Sequence, residues 1–263
     1  MAKELVLRRV NVDRYVTPLR EGGSMPAIIE GDDGFLYVLK FRGAGQGTKA
    51  LIAELIGGEI ARKLGFNVPE LVFADLDEAF GRTEPDEEIQ DLLKFSTGLN
   101  LGLHYLSGSI TYDPGVSKID ETLASKIVWL DALLMNMDRT AKNPNMLVWN
   151  KDIWLIDHGA ALYFHHSWDD YQKSSLSPFP LIKDHILLAQ ATNINEVSLE
   201  LSEILDSNFI EEVVQLIPDD WLNGNHFDST GEFKKAYAFF LNNRIKNAHI
   251  FVKSANDARE KLI

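Results

Sequence analysis

The chain contains the polar stretch Asp138-Arg139-Thr140-Ala141-Lys142-Asn143-Pro144-Asn145 between an apolar helical segment and two short apolar segments. The apolar segments are residues 146–149 and 153–156, and Asn150-Lys151 between them suits a tight turn. Asp157-His158-Gly159 follows directly. The pattern predicts a β-hairpin that has a polar loop before it and a carboxylate at its end.

These polar residues suit one kind of chemistry. Phosphoryl transfer from ATP requires a carboxylate that orients the attacking hydroxyl and accepts its proton, and two oxygen ligands for Mg²⁺. Asp138 suits the first role, and Asn143 and Asp157 suit the second. The order of Asp, Asn five residues later, hairpin and Asp-x-Gly matches the kinase catalytic loop and its metal motif. The sequence therefore predicts an ATP- and Mg²⁺-dependent phosphotransferase.

The same residues carry a family resemblance. Segments 138–145, 156–161 and 164–168 closely resemble the HipA-like kinases, and the resemblance extends more weakly over the N-terminal part. It implies a protein-kinase-like fold and transfer from ATP with magnesium to a hydroxyl, which in the family's namesake belongs to a protein serine. The catalytic loop is also similar to that of phosphatidylinositol kinases.

The chain departs from eukaryotic protein kinases beside the catalytic Asp. Met137 stands where those kinases have an Arg that pairs with a phosphorylated activation loop, so control by that pairing is not expected. Arg139 follows the Asp instead and suits either a contact to loop backbone or one to substrate phosphate. Lys142 suits either the transferred phosphoryl group or plain solvent.

The nucleotide clamp is expected in the N-terminal part. Lys40 lies in an apolar strand and fits the Lys that contacts the α- and β-phosphates. Its partner on the next helix is Glu54 or Glu59, which are about 140° apart around the helix, so only one faces the cleft. The resemblance favours Glu54. Gly22-Gly23-Ser24 lies between two strands, where backbone N–H groups can approach phosphate oxygens.

The other glycine-rich segment is a weaker candidate. Gly43-Ala44-Gly45-Gln46-Gly47-Thr48-Lys49 fails the dinucleotide pattern because Thr48 stands where Gly is required, and it fails the Walker pattern because its order is Gly-Thr-Lys. A dehydrogenase is therefore disfavoured, and the segment is interpreted as a mobile connection near the cleft.

The predicted elements form an α+β chain of two lobes. Strands are predicted at 5–12, 25–30, 35–41, 70–75, 99–106, 146–149 and 153–156. Helices are predicted at 49–64, 87–94, 119–136, 194–206, 209–216 and 231–256, with an exposed loop at 77–88. The order favours a β-rich N-lobe over residues 1–106 and a mainly helical C-lobe over 107–263, with ATP between them.

Composition excludes several classes of protein. The net charge of −13 argues against nucleic-acid binding through a broad surface, and the absence of cysteine excludes disulfides and thiolate sites. No signal peptide or transmembrane run is recognised, so no membrane partner is expected and the expected location is the cytoplasm.

The acceptor of the phosphoryl group and the catalytic activity itself remain open. The acceptor hydroxyl is that of a protein or of a small molecule or lipid, and a nucleotide-binding pseudokinase is a non-catalytic alternative. A zinc site at His158, His165 and His166 is disfavoured because no metal-binding His spacing occurs. His158 is instead expected to pack and hydrogen-bond beneath Asp157, and the aromatic residues of segment 163–168 are expected in the core.

Overall fold

The N-terminal part of the chain is a small closed barrel. The computed structural model describes residues 5–19 and 25–262. The barrel strands are β1 Arg8–Pro18, β2 Ala27–Gly31, β3 Leu36–Lys40, β4 Leu71–Leu76 and β5 Gly98–His104. They are hydrogen-bonded in the order β1-β2-β3-β5-β4, and β1 pairs with β4 in parallel while the other pairs are antiparallel.

Strand alternation aims Lys40 away from the barrel interior. Tyr37 and Leu39 of β3 are fully buried, and Ala27 and Ile29 of β2 face them from the neighbouring strand. Because successive side chains of a strand point to opposite faces, Lys40 projects from the other face. The Gly31-Asp32-Asp33-Gly34 turn joins β2 and β3 into an antiparallel hairpin.

One long helix connects β3 to β4. Helix α1 spans Gly47–Lys63, and every residue from Leu51 to Ala61 is buried. It is buried on all sides because it lies between the barrel and the helical part of the chain, where it contacts the 219–221 turn and the helix at 207–215. A helix in this position carries its polar residues, including Glu54, into the interior between the two parts.

Two short helices follow β4. Helix α2 is Phe80–Thr83 and helix α3 is Glu87–Phe95. Asp86 begins α3 by accepting hydrogen bonds from the N–H groups of Glu88 and Ile89. The exposed loop predicted for 77–88 is thus interrupted by one helical turn.

The remainder of the chain is mainly helical. A three-stranded sheet consists of β6 Ile110–Thr111, β7 Met146–Trp149 and β8 Asp152–Leu155 in the order β6-β7-β8. The helices are α4 Glu121–Leu134, α5 Tyr171–Ser174, α6 Ile194–Ile204, α7 Ser207–Gln215, α8 Thr230–Lys246 and α9 His249–Glu260. None of the described helices is long and apolar enough to cross a membrane.

Two sequence-based expectations for this part need correction. The single helix predicted at 231–256 is two helices, because Asn247 leaves the helical conformation and its side chain bonds back to the carbonyl of Asn243. The aromatic segment is only partly core: Phe164 and Trp168 are buried, whereas Tyr163 is 58% exposed. The predicted lobe boundary at residues 106 and 107 falls in the connection between β5 and β6 and stays a prediction.

A buried arginine caps the end of α4, the helix that precedes the loop of Asp138. Arg244 of α8 donates to the carbonyls of Leu133 at 2.8 Å and Ala132 at 2.7 Å, and to that of Ser177 at 3.0 Å. The last carbonyls of a helix lack their usual partner four residues later. Arg244 supplies a donor to the buried Leu133 carbonyl and a second donor to that of Ala132, which also accepts the Met135 N–H at 3.4 Å.

Arg244→Met should lower the free energy of unfolding by at least about 2 kcal/mol, because it removes three hydrogen bonds and the donor of the buried Leu133 carbonyl while keeping an apolar stem. Arg82→Met is the matched control, because Arg82 is 68% exposed and its loss should cost less than about 0.5 kcal/mol. Urea unfolding measures both. Equal unfolding midpoints for the two variants would contradict the capping role.

Candidate active site

The catalytic loop holds Asp138 by two amide side chains. Asn143 Nδ2 donates to Asp138 Oδ2 at 2.7 Å, and Asn145 Nδ2 donates to the same oxygen at 3.3 Å. The Asp138 N–H is bonded to Asn136 Oδ1 at 3.2 Å. Asp138 is half-buried, and no hydrogen bond to its Oδ1 is found within the described part of the chain. One carboxylate oxygen is therefore fixed and the other is available.

A buried carboxylate anchors this loop to helix α4. Asp131 is completely buried, and its Oδ2 accepts from Arg139 Nε at 2.5 Å and from His185 Nε2 at 2.9 Å. Asn136 Nδ2 donates to the other oxygen at 2.9 Å. Burial alone would raise the pKa of Asp131, but the Arg139 charge and the His185 hydrogen bond hold that pKa well below its usual 3.8.

His185 is a neutral part of this support. Its Nδ1 accepts the N–H of Leu187 at 3.0 Å, so the proton lies on Nε2, which donates to Asp131. Burial lowers the pKa of His185 despite the nearby carboxylate. The adjacent N–H of Ile186 donates to the Arg139 carbonyl at 3.1 Å, so this segment holds the loop through backbone as well.

Arg139 joins the catalytic loop to the second polar motif. Its guanidinium donates through Nη1 to the carbonyl of Asn145 and, at 3.5 Å, to that of Ile156, while the Ile156 N–H donates to the Asn145 carbonyl at 3.1 Å. Asn145 and Asp157 both have left-handed backbone conformations, with φ of 49° and 57°. Of the two roles predicted for Arg139, the structure shows the contact to loop backbone. The Lys142 side chain is exposed to solvent.

The predicted phosphate clamp meets Asp157 across the cleft. Lys40 Nζ lies 2.7 Å from Asp157 Oδ1 and 3.7 Å from Glu54 Oε2. Glu59 points elsewhere and pairs with Arg62 at 3.3 Å. The structure therefore brings Glu54, and not Glu59, to Lys40.

Neighbouring charges favour the ionised forms of both Lys40 and Glu54. Burial lowers the pKa of Lys40, but the carboxylates of Glu54 and Asp157 outweigh it and raise the pKa above its usual value. Burial likewise opposes ionisation of Glu54, and the Lys40 charge together with His158 lowers the Glu54 pKa. An ionised Lys beside two carboxylates can exchange a carboxylate for an anionic ligand.

His158 packs under the cleft as expected, but its expected hydrogen bond is not found. The ring is fully buried, its Nδ1 lies 3.6 Å from Glu54 Oε1, and neither ring nitrogen has a hydrogen-bond partner in the described structure. The ring packs against Gly57 of α1, where an added Cβ would come within 2.7 Å of His158 Cβ. Within residues 5–19 and 25–262, no three His, Asp or Glu side chains form a group suited to a metal.

The glycine-rich candidates have different outcomes. Gly22, Gly23 and Ser24 lie outside the described residues, so their predicted contact with phosphate stays a prediction. Segment 43–49 is only partly a connection between β3 and α1, because its last three residues form the start of α1. Its Gly43 N–H donates to Ser96 Oγ at 3.1 Å.

Sequence reasoning missed three groups that shape the site. Asp131 and His185 support the loop, and Gly57 gives His158 its space. Only Asp131 had a visible signal, which is a carboxylate within the apolar stretch Val128-Trp129-Leu130-Asp131-Ala132-Leu133-Leu134. His185 follows the motifs by many residues, and nothing in its own neighbourhood indicates the contact.

A known protein family matches this chain over most of its length. The model of the HipA-like kinase family matches residues 12–253. The chain belongs to the HipA-like kinase family. This confirms the resemblance read from the two motifs, and it identifies the protein as a kinase.

Solved kinase structures share the fold of this HipA-like kinase. The Helicobacter pylori proinflammatory kinase CtkA is 14% identical, with a TM-score of 0.52 over 98% of this chain and 99% of that one. A Golgi casein kinase crystallised with Mn and ADP is 13% identical, with a TM-score of 0.50 over 94% of this chain and 73% of that one. These similarities confirm the two-lobed α+β fold. No curated protein sequence gives a significant match.

Asp131→Asn should lower the free energy of unfolding by about 3–5 kcal/mol at neutral pH, because Arg139 would keep a buried charge without its counter-ion. The folded-state pKa of Asp131 lies below its unfolded value of 3.8, so its stabilisation is complete above that pH and is lost as the pH falls below it. Urea unfolding at several pH values should therefore show wild type and variant converging in acid.

Asp170→Asn is the control for this measurement, because Asp170 is 66% exposed and pairs only with a neighbouring lysine in the structure described. The account of the buried pair is wrong if Asp131→Asn and Asp170→Asn unfold at the same urea concentration near pH 7.

Proposed function

We propose that this HipA-like kinase transfers the γ-phosphoryl group of ATP to a hydroxyl, with Mg²⁺ as the metal. The observation that carries the proposal is the Asp138 carboxylate, which Asn143 and Asn145 fix through one oxygen while the other oxygen stays available. A carboxylate held in this way can orient a hydroxyl and accept its proton. Lys40 and Asp157 supply a cation and an oxygen ligand, and Arg139 of the Asp138 loop contacts the carbonyl of the residue before Asp157.

The nucleotide is proposed to bind where Lys40 now meets Asp157. Lys40 would contact the phosphates and Glu54 would keep it in place, since Glu54 is buried and lies 3.7 Å away. The Golgi casein kinase, which shares the fold, was crystallised with Mn and ADP. The backbone of Gly22-Gly23-Ser24 remains the proposed further contact to phosphate.

The residues present fit a hard divalent cation. Asn143 uses its Nδ2 to bond Asp138, which leaves its amide oxygen as a ligand, and Asp157 contributes a side chain that is 41% exposed. Two oxygen donors from the protein, completed by phosphate oxygens and water, are typical of Mg²⁺ sites. When bound, the ion neutralises charge that develops on the phosphates.

The residues of this chain then divide the remaining work. Asp138 receives the proton of the acceptor hydroxyl as the hydroxyl oxygen forms its bond to the γ-phosphorus and the bond to the ADP oxygen breaks. Arg139 fixes the position of Asp138 relative to Asp157, because it binds backbone carbonyls on both sides of the hairpin. The departing ADP stays charge-paired with Lys40.

The acceptor is proposed to be a protein serine or threonine. The resemblance to the HipA-like family supports this choice. Transfer to a lipid or small-molecule hydroxyl, or no transfer at all as in a pseudokinase, are the outcomes that the following experiments distinguish.

Asp138→Asn should retain the fold and the Mg-ATP affinity but lose phosphoryl transfer by about 10²–10⁴-fold, because its partner is the acceptor hydroxyl and not the nucleotide. Transfer of labelled phosphate to the enzyme itself and to lysate proteins, with phosphosites located by mass spectrometry, measures it. Asp152→Asn is the control, since Asp152 is an exposed residue of β8.

Transfer by Asp138→Asn at the wild-type rate would remove Asp138 from the reaction. Label found only in lipid or small-molecule fractions would replace the proposed protein acceptor. A wild type that binds Mg-ATP but labels nothing would indicate a pseudokinase.

Asp157→Asn should weaken Mg-ATP binding strongly in calorimetry, because it removes a charged oxygen ligand, and Asn143→Ala should act in the same direction but less. The same titration with NAD should give no binding. Wild-type affinity in both variants would refute the metal assignment, and binding of NAD without binding of Mg-ATP would refute the proposed function.

A further inference from the structure

A short turn from the helical part of the chain packs against the barrel through a buried tryptophan. It is the 3-10 helix Asp219–Trp221, which lies between α7 and α8. Trp221 is 1% exposed, its ring packs edge-on against Phe73 of β4 at 5.8 Å, and its Nε1 donates to the Leu99 carbonyl of β5 at 3.0 Å. A tryptophan with its ring buried and its N–H satisfied is a strong and specific anchor.

The same turn holds both ends of the loop between β3 and α1. Arg42 donates to Asp220 Oδ2 at 2.7 Å and to the Asp220 carbonyl at 3.3 Å. Thr48, in the first turn of α1, donates through Oγ1 to the Trp221 carbonyl at 2.8 Å. Thr48 is buried, whereas Asp220 is half exposed, so the Thr48 contact is the better shielded of the two.

This position matters because the loop joins the two residues of the phosphate clamp. Arg42 follows Lys40 by two residues, and Thr48 precedes Glu54 on the same helix. We infer that the Asp220-Trp221 turn positions Glu54 against Lys40, and that Thr48 and Trp221 are therefore positioning residues for nucleotide binding. This inference rests on the proposed function.

The rest of α1 is held in the same way. His158 packs against Gly57 in the middle of the helix, and Lys63 lies over the Phe209 ring of α7 at 5.1 Å at its end. With Thr48 bound to Trp221, α1 contacts the helical part of the chain at its beginning, its middle and its end. The helix that carries Glu54 is thus held by contacts along its whole length.

The test is a pair of substitutions at Thr48. Thr48→Val keeps the shape of the side chain but removes the hydrogen bond to Trp221, and Thr48→Ser keeps the bond. Thr48→Val should weaken Mg-ATP binding about two- to tenfold in calorimetry, the range expected for one buried hydrogen bond, and Thr48→Ser should bind like wild type.

A double-mutant cycle with Glu54 separates positioning from a general loss of stability. In a Glu54→Gln background, Thr48→Val should no longer change the affinity, because no carboxylate remains to be aimed at Lys40. In the matched Glu59→Gln background, on the same helix, its effect should persist. A mere loss of stability would weaken binding to the same degree in both backgrounds.

Wild-type affinity in Thr48→Val, or an equal effect of that change in the Glu54→Gln and Glu59→Gln backgrounds, would overturn the inference and leave the proposed function intact. A wild-type protein that binds no Mg-ATP would instead overturn the proposed function together with it. Trp221→Phe, which keeps the buried ring but loses the bond to Leu99, should weaken Mg-ATP binding in the same direction as Thr48→Val.

Discussion

The buried ion pair between Asp131 and Arg139 is the interaction on which the candidate active site depends. Both side chains are fully removed from solvent, and such a pair is stable only if its remaining hydrogen-bonding groups are satisfied. Asn136 and His185 complete the partners of Asp131, and Arg139 uses its other donors on loop carbonyls. Because separating Asp131 from Arg139 would leave a buried charge unpaired, the ion pair fixes the conformation of the loop that carries Asp138.

The pair also connects the two motifs that were read separately from the sequence. Arg139 contacts the backbone before and after the hairpin, so the position of Asp157 is set by the same guanidinium that fixes the Asp138 loop. Asp157 in turn meets Lys40 from the barrel. A continuous series of contacts therefore leads from Asp131 on α4, through the Asp138 loop and the hairpin, to Lys40 on β3.

Structural features that depend on a pattern of neighbouring residues were predicted correctly from the sequence. The hairpin around Asn150-Lys151 was predicted because two apolar strands flank a dipeptide that suits a tight turn. In the structure both residues of the turn have positive φ. Lys40 was predicted because it is the one Lys in an apolar strand and fits the phosphate-contacting Lys of kinases. Glu54 was separated from Glu59 by the family resemblance, whereas helix geometry showed only that one of them could face the cleft.

Long-range partners were not predictable in this way. Trp221 was not singled out, although it binds Leu99, which lies 122 residues earlier in the chain. His185 likewise reaches Asp131 only through the tertiary fold. The break between α8 and α9 was missed because a single Asn does not by itself end a predicted helix. The hydrogen bond from the Asn247 side chain to the Asn243 carbonyl is visible only in the structure.

Lys40, Asp157 and Asn143 are proposed to form one site for the phosphates and metal of ATP. An experimentally determined structure of the complex with Mg²⁺ and a non-hydrolysable ATP analogue tests it most directly. The account predicts that Lys40 Nζ leaves Asp157 for the phosphates, that the side-chain oxygens of Asp157 and Asn143 bind the metal, and that Asp138 faces the γ-phosphate. A nucleotide bound elsewhere, with the 2.7 Å pair between Lys40 and Asp157 intact, would contradict it.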